Sequence, residues 1–377
     1  MILSLLMIGG FGLLGLSILC PFLALGAYYA LQRGPPKTQP ALSGLSSFPL
    51  RLEIVIPAHN EAALIGATLT SIESAIQDLQ THFPIQSAPQ IMIHIGADAC
   101  TDNTSEEAQR FGKVTVTEFA EKRGKWAVMK ALVTDSSSDW IMLVDAGTLW
   151  PENFLSDFLR RVNNGENNVL AVAPSYRPQK ANWIHRTLWR METGLKQMEG
   201  YCGGPISLHG ATVAYRTPLL KKALASLGDT QWVNDDVVIP LTLRALNPQG
   251  VILYPVGEVR DAGVEQIHLD IGRRKRLLLG NLQWVSALLP SCLRRNPVAG
   301  MVAGRRVFRM LWAYWLAMIV FGVALAFHFV ILPGIVALGV LMASSGSARQ
   351  ITGAALVSLL APYLIIQAAR HPMGDWK

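Results

Sequence analysis

Between residues 51 and 162 the chain alternates short apolar runs with stretches of helical character, and this alternation constrains the fold more than any other feature. Residues 52–56, 90–95, 114–117 and 140–144 read as strands; residues 61–78, 104–111, 126–134 and 152–162 read as helices. Strands separated by helices of that length need helical crossovers, which predicts an α/β fold with an open, mostly parallel sheet and flanking helices. In such folds ligands bind beyond the carboxyl ends of the strands, so the polar residues just after each apolar run are the ones to weigh.

After the first run comes Pro57-Ala58-His59-Asn60-Glu61, in which proline stops the ladder and His59 or Asn60 is suited to cap the next helix. Asp102, after the second run, is suited to cap a helix from Thr104, whereas Asp98 stands at a strand end with no capping task. A carboxylate there can accept hydrogen bonds from a base or a ribose. Arg123-Gly124-Lys125 precedes a helix, an arrangement that suits a phosphate and is equally a common surface turn. Asp145 follows the wholly apolar run 140–144. A carboxylate so placed is costly unless paired or bound to a metal, and Mg2+ or Mn2+ bridging a diphosphate would supply the partner.

The termini differ from this middle. The chain is 51% hydrophobic and only 16% charged, and residues 1–31 carry no charge at all. That run exceeds the roughly 20 residues a spanning helix needs, and it lacks the basic start of a signal peptide. Residues 310–344 likewise hold no Asp, Glu, Lys or Arg, and 351–369 are again apolar. The expected organisation is an N-terminal transmembrane helix at 1–32, a Pro/Gly/Ser-rich linker at 33–50, a folded domain at 51–290 with interfacial helices, and two or three spans within 305–370. Arg33, Lys37 and Arg51 follow the first apolar segment, and Arg294, Arg295, Arg305, Arg306 and Arg309 precede the next. By the positive-inside bias the domain between them faces the cytoplasm, at a multi-pass inner membrane. The same placement sets the net charge of +7 against lipid headgroups, and no nucleic-acid-binding motif accompanies it. Cys20, Cys100, Cys202 and Cys292 show no metal-ligand spacing and read as free thiols. Residues 183–198 fit either a membrane-interface helix or an ordinary amphipathic one.

In this order the motifs resemble those of the membrane-bound family-2 glycosyltransferases, of the polysaccharide-synthase-like kind, which have a GT-A nucleotide-sugar-binding domain. Residues 55–61 match the family's V-I-P-A-x-N-E strand, 97–104 its A-D-x-C-T-D-x-T block and 123–125 its R-G-K block. The resemblance implies that Pro57, Asn60 and Glu61 line the nucleoside pocket, that Asp98 holds the uracil, that Lys125 contributes to the nucleotide-sugar site and that Asp145 opens the metal-binding D-x-D motif. Gly147 departs from the pattern where the family carries a second carboxylate, leaving Thr148, the diphosphate or a weaker site to complete the metal's ligands. Asp235-Asp236 resembles the family's D-D motif, with Asp236 at the position of the base that deprotonates the acceptor hydroxyl. A helix N-terminus favouring acidic residues is the plainer account of that pair. Residues 203–212 resemble the glycine-rich acceptor-side segment, within which His209 reads as a structural histidine. The run from Arg273 to Arg276, with Gly280-Asn281, resembles an R-K-x-R-x-x-x-G-N segment, and it implies that Arg273 and Arg276 contact phosphate. The implied activity is inverting transfer from a UDP-sugar, a hexose or N-acetylhexosamine, to a lipid-linked or polysaccharide acceptor. It would need a divalent cation and membrane lipids, and further subunits of a polysaccharide synthesis or export system are implied partners. The rival is a catalytically silent scaffold of the same fold, for which Gly147 is the one argument. A transporter would need more spans and intramembrane polar residues.

Overall fold

The computed structural model of the protein describes Gly9, residues 50–82, 88–163, 168–178, 183–261, 271–310, 313–314 and 316–318, and Leu359. The expected spans at 1–32 and within 305–370 lie almost wholly outside the described residues. Among the described residues no helix is long and apolar enough to cross a membrane.

The chain runs β1 (Arg51–Ala58), α1 (Ala62–His82), β2 (Gln90–Asp98), α2 (Thr104–Gln109), β3 (Val114–Phe119), α3 (Lys125–Asp135) and β4 (Trp140–Val144). It continues with β5 (Thr148–Leu149), α4 (Phe154–Asn163), β6 (Val169–Val172), β7 (Ser175–Arg177), α5 (Trp183–Gly200), β8 (Thr212–Arg216) and α6 (Thr217–Ser226). Then follow α7 (Asp235–Leu246), β9 (Val251–Leu253), β10 (Glu258–Asp261), α8 (Ile271–Ala287), α9 (Leu289–Arg295) and α10 (Pro297–Met310). One sheet has the order β3-β2-β1-β4-β8-β6-β9, and a small second sheet has the order β5-β10-β7.

Side chains alternate across a strand, so β1 feeds two cores. Leu52, Ile54 and Ile56 join Ile65, Leu69 and Ile72 of α1 and Leu155 and Phe158 of α4 on one face. Val55 points to the other, with Val128, Met129 and Leu132 of α3, Leu220 of α6 and Val237 of α7. This second core does not stop at residue 290. Cys292 of α9 and Val298, Ala299, Val302 and Ala303 of α10 belong to it, so the helices expected near lipid close the domain.

The seven-stranded sheet is mostly parallel, as expected, and is made mixed by one reversed strand, β8. β1 runs parallel to β2 and β4, but β8 lies antiparallel to both β4 and β6. The reason is the connection. β8 is entered from α5 and the 201–211 loop rather than through a helical crossover from the far end, so the chain arrives at the end where β4 leaves. Arg244, buried to 1% exposure, fixes that loop by donating from Nη1 to the Gly204 carbonyl at 3.0 Å and from Nη2 to that of Cys202 at 2.7 Å.

Capping at the first crossover also differs from expectation. Asn60 does not cap α1; its Oδ1 accepts the Thr101 N–H at 2.8 Å across the loop. The cap comes from the neighbouring loop: Thr104 Oγ1 accepts the Glu61 N–H at 2.8 Å and Asp102 Oδ2 accepts the Ala62 N–H at 3.1 Å. Asp102 Oδ1 also accepts the Thr104 N–H at 3.1 Å and its hydroxyl, so one carboxylate serves the starts of α1 and α2. Burial works to raise the Asp102 pKa, but the bonds from Thr104 and Ala62 outweigh it and hold the group below the ordinary carboxylate range. Asp102→Ala is therefore expected to lower stability by about 2 kcal/mol at neutral pH. Because the folded pKa is depressed, that contribution is full above the unfolded value of about 3.9 and disappears as pH falls through the folded one. Denaturant titrations of both proteins at pH 7 and pH 3 read the difference and its loss.

Candidate active site

The carboxyl ends of β1, β2 and β4 and the entry to β8 converge on a cluster of charge. Asp145 leaves β4 with its N–H donated to the Ala211 carbonyl at 3.0 Å, and its own carbonyl accepts the Thr148 N–H at 3.1 Å. Residues 145–148 thus form a tight turn. Gly147 occupies it at φ +91, with its N–H on Thr68 Oγ1 at 2.8 Å. A Cβ at this position would stand 3.2 Å from Leu64 Cδ1, so a side chain there would meet α1. Thr148 is buried and donates its hydroxyl to the Ala211 carbonyl at 3.0 Å.

Lys125, the first residue of α3, reaches two carboxylates. Its Nζ lies 2.7 Å from Asp145 Oδ1 and 3.0 Å from Asp235 Oδ2. Burial opposes the charge on Lys125, yet Asp145 and Asp235 outweigh it and hold the ammonium above the usual lysine range. Asp236 follows in the first turn of α7, whose chain is tied to the loop by the Leu208 N–H donated to the Asp236 carbonyl at 2.9 Å. Burial raises the Asp236 pKa and Asp235 adds to the rise, while Arg306, Lys196 and Lys125 pull it down; the net direction is upward. Gly210 sits among these groups: a Cβ there would be 3.5 Å from Asp145 Oδ2, 3.8 Å from Asp236 Cβ and 4.0 Å from Lys125 Nζ.

Other expected site residues frame this centre. Asp98 is wholly buried, and its two oxygens accept the N–H groups of Arg123 at 2.7 Å and Gly124 at 2.8 Å. It thereby anchors the loop that presents Lys125. Pro57 is buried near the end of β1, and Asn60 stands at φ 56 in the loop beyond, with Glu61 half-buried next to it. The His59 ring bonds the Asp98 carbonyl at 2.5 Å, closing β1 onto β2. His209 stacks on Tyr176 with ring centres 3.6 Å apart, and Trp189 lies against both. Arg276 is half-buried on α8; Arg273 begins the same helix, and its side chain lies outside the described residues.

Sequence reasoning missed two arginines. Arg305 and Arg306 do not face headgroups. Arg305 is buried between Glu199, 2.6 Å from its Nε, and Glu192, 3.0 Å from its Nη1. Arg306 Nη1 lies 3.8 Å from Asp236 Oδ2. Arg294 and Arg295 of α9 are exposed. An inward arginine and an outward one look alike in a charge count. The signal available was the small-residue face of α10, Ala299, Val302 and Ala303, which marks the helix as packed.

Residues 53–224 match glycosyl transferase family 2. The fold resembles that of the mannosyltransferase PcManGT from Pyrobaculum calidifontis, solved with GDP-Man and Mn2+, with a TM-score of 0.66 at 18% identity over 96% of this chain and 99% of that one. Glucosyl-3-phosphoglycerate synthase from Mycobacterium tuberculosis, solved with Mn2+, UDP and glucosyl-3-phosphoglycerate, has a TM-score of 0.41 at 16% identity over 71% and 84% of the two chains. No curated protein matches the sequence.

The centre suits a divalent cation through Asp145. Its carboxylate is the most open of the cluster, 42% exposed, and already holds one cation, the Lys125 ammonium, at 2.7 Å. Oxygen donors of this kind are what Mg2+ and Mn2+ take. Among the described residues no three His, Cys, Asp or Glu side chains form a set able to hold a metal alone. Gly147→Asp, which restores the family's second carboxylate, is expected to fail as a repair. The left-handed φ and Leu64 would cost about 1–3 kcal/mol. Calorimetric Mn2+ titration should show no gain in affinity, and thermal unfolding a lower midpoint.

Proposed function

We propose that the protein is an inverting glycosyltransferase that moves a sugar from a nucleoside-diphosphate sugar to a hydroxyl acceptor at the cytosolic face of a membrane. The observation that carries this reading is the convergence of Lys125, Asp145, Asp235 and Asp236 around Gly210, at the strand ends of a family-2 glycosyl transferase domain. The donor is read as a UDP-sugar, a hexose or N-acetylhexosamine, and the acceptor as a lipid-linked sugar or growing polysaccharide.

Asp98 shapes the nucleotide end by fixing the N–H groups of Arg123 and Gly124, while Pro57, Asn60 and Glu61 form the wall beyond β1. Asp145 is the residue that would hold the divalent cation. That cation, when bound, neutralises charge on the diphosphate. Lys125, released from part of its pairing as the phosphates arrive, meets the same charge; Arg273 and Arg276 are read as further phosphate contacts from the motif they belong to. Asp236 accepts the acceptor's hydroxyl proton as that oxygen bonds to the anomeric carbon and the bond from carbon to diphosphate breaks. Its upward-shifted pKa brings it nearer neutrality, which suits a general base.

Membrane attachment through the apolar termini completes the reading. Leu277, Leu293 and Met301 are exposed on α8, α9 and α10, beside exposed Arg294 and Arg295. These features suit an interfacial surface. Other subunits of an export system are natural partners for a chain with so few candidate spans.

The test is sugar transfer by the purified full chain with Mn2+, across UDP-glucose, UDP-N-acetylglucosamine and GDP-mannose and a panel of lipid-linked and glycan acceptors. Turnover is expected with one donor class, and Asp236→Asn should cut kcat by at least about 100-fold. Equal inertness of both proteins across the panel would leave only a silent scaffold.

A further inference from the structure

Asp236 stands in the first turn of α7, two residues after Asn234, and three helices meet at the amide that holds Asn234 in place. Asn281 Oδ1 of α8 accepts from Asn234 Nδ2 at 2.8 Å, from Trp284 Nε1 at 3.1 Å and from Arg306 Nε of α10 at 3.2 Å. Asn234 Nδ2 also reaches the Leu277 carbonyl at 3.3 Å. Trp284 is fully buried, so the hub is fixed from below. Gly280 makes the approach possible: a Cβ there would stand 2.8 Å from both Asn234 Oδ1 and Val233 Cβ. The Gly280-Asn281 pair, conspicuous in the sequence, thus joins α8 to the start of α7.

Arg306 is held at both ends. Its Nε is on Asn281, and its Nη1 donates to Ser207 Oγ in the loop before β8. A guanidinium is planar, so pinning these two nitrogens fixes its plane and places Nη1 3.8 Å from Asp236 Oδ2. The Arg306 side chain is only 13% exposed, so solvent screens the pair little. Asn281 and Ser207 bring no negative charge of their own, whereas Asp236 is a carboxylate that the guanidinium faces.

We propose that Arg306 is the positioning residue for the base: held by Asn281 and Ser207, it keeps the Asp236 carboxylate ionised and oriented. This rests on Asp236 being the base. The charged groups around Asp236 are Asp235 on its own helix, Lys125 from α3, Lys196 from α5 and Arg306 from α10. Burial and Asp235 favour the neutral acid. Lys125 is shared with Asp145 and Asp235, and Lys196 lies over the Tyr254 ring at 6.0 Å, which leaves Arg306 as the foremost opposing charge.

The experiment uses the full chain in detergent, as wild type, Arg306→Gln, Arg306→Lys and Asp236→Asn. Infrared difference titration reads the Asp236 carboxyl band, identified by its loss in Asp236→Asn. Arg306→Gln keeps hydrogen-bonding groups but no charge, and its Asp236 midpoint is expected to rise by about one pH unit or more. Arg306→Lys should bring it back toward wild type. Where a donor is turned over, the acidic limb of the pH profile should move by the same amount. At pH values on that limb kcat then falls about tenfold for each pH unit by which the midpoint rises, with donor KM unchanged. A titration midpoint in Arg306→Gln that coincides with wild type overturns the proposal, whether or not turnover is seen. A raised midpoint in a protein that turns over no donor upholds the charge pairing and removes the enzymatic reading instead.

Discussion

The reversed strand β8 is the constraint on which the site depends. Its pairing with β4, from Val144 opposite Thr212 to Trp140 opposite Arg216, brings the incoming chain to the end where β4 gives out at Asp145. One further bond, from the Asp145 N–H to the Ala211 carbonyl, seats Gly210 against the carboxylate. The loop before it carries Leu208, whose N–H holds the Asp236 carbonyl, and Ser207, which holds Arg306. Were β8 parallel, the 201–211 loop would enter at the opposite edge. Asp145 and Asp236 would then have no common neighbour.

Three carboxylates in so small a region need cations close by. Unit charges about 4 Å apart interact by about 4 kcal/mol in surroundings of intermediate polarity, so unpaired they would protonate or spread apart. Lys125 serves Asp145 and Asp235, and Arg306 serves Asp236. The two cations come from parts of the chain far apart in sequence. Lys125 is set by the Asp98-anchored loop after β3, and Arg306 by a helix packed on the last core residues. The supports are therefore separate.

The parallel half of the fold was legible in the sequence because each element there obeys a local rule. The all-apolar run of β4 could only be a buried central strand, and its bounds agree with the sequence reading residue for residue. The strand-end positions of Asp98 and Asp145 followed from the same pattern. The second half obeyed no such rule. Orientation of β8 depends on how a loop is held, and the holder is Arg244, far along the chain. The capping of α1 was misassigned for the same reason: Asp102 and Thr104 reach it from another loop, and proximity in sequence favoured Asn60. Arg305 and Arg306 were hidden by their position beside an apolar terminus. There, a count of positive charges describes topology and says nothing about which way a guanidinium points.

Gly147 shows how a missing residue can be misread when only the motif is seen. As a letter it is an absent metal ligand, and so an argument for a silent protein. In the fold it is the third residue of a tight turn with left-handed φ, packed beside Leu64 and bonded to Thr68. A side chain at this position would meet Leu64 of α1. The loss of a carboxylate and the conformation of the turn are one fact, not two. The turn's work is to end β4 so that Asp145 faces Gly210, and it does that work with glycine in place. Glycine at 147 therefore removes a ligand without disturbing the remaining one.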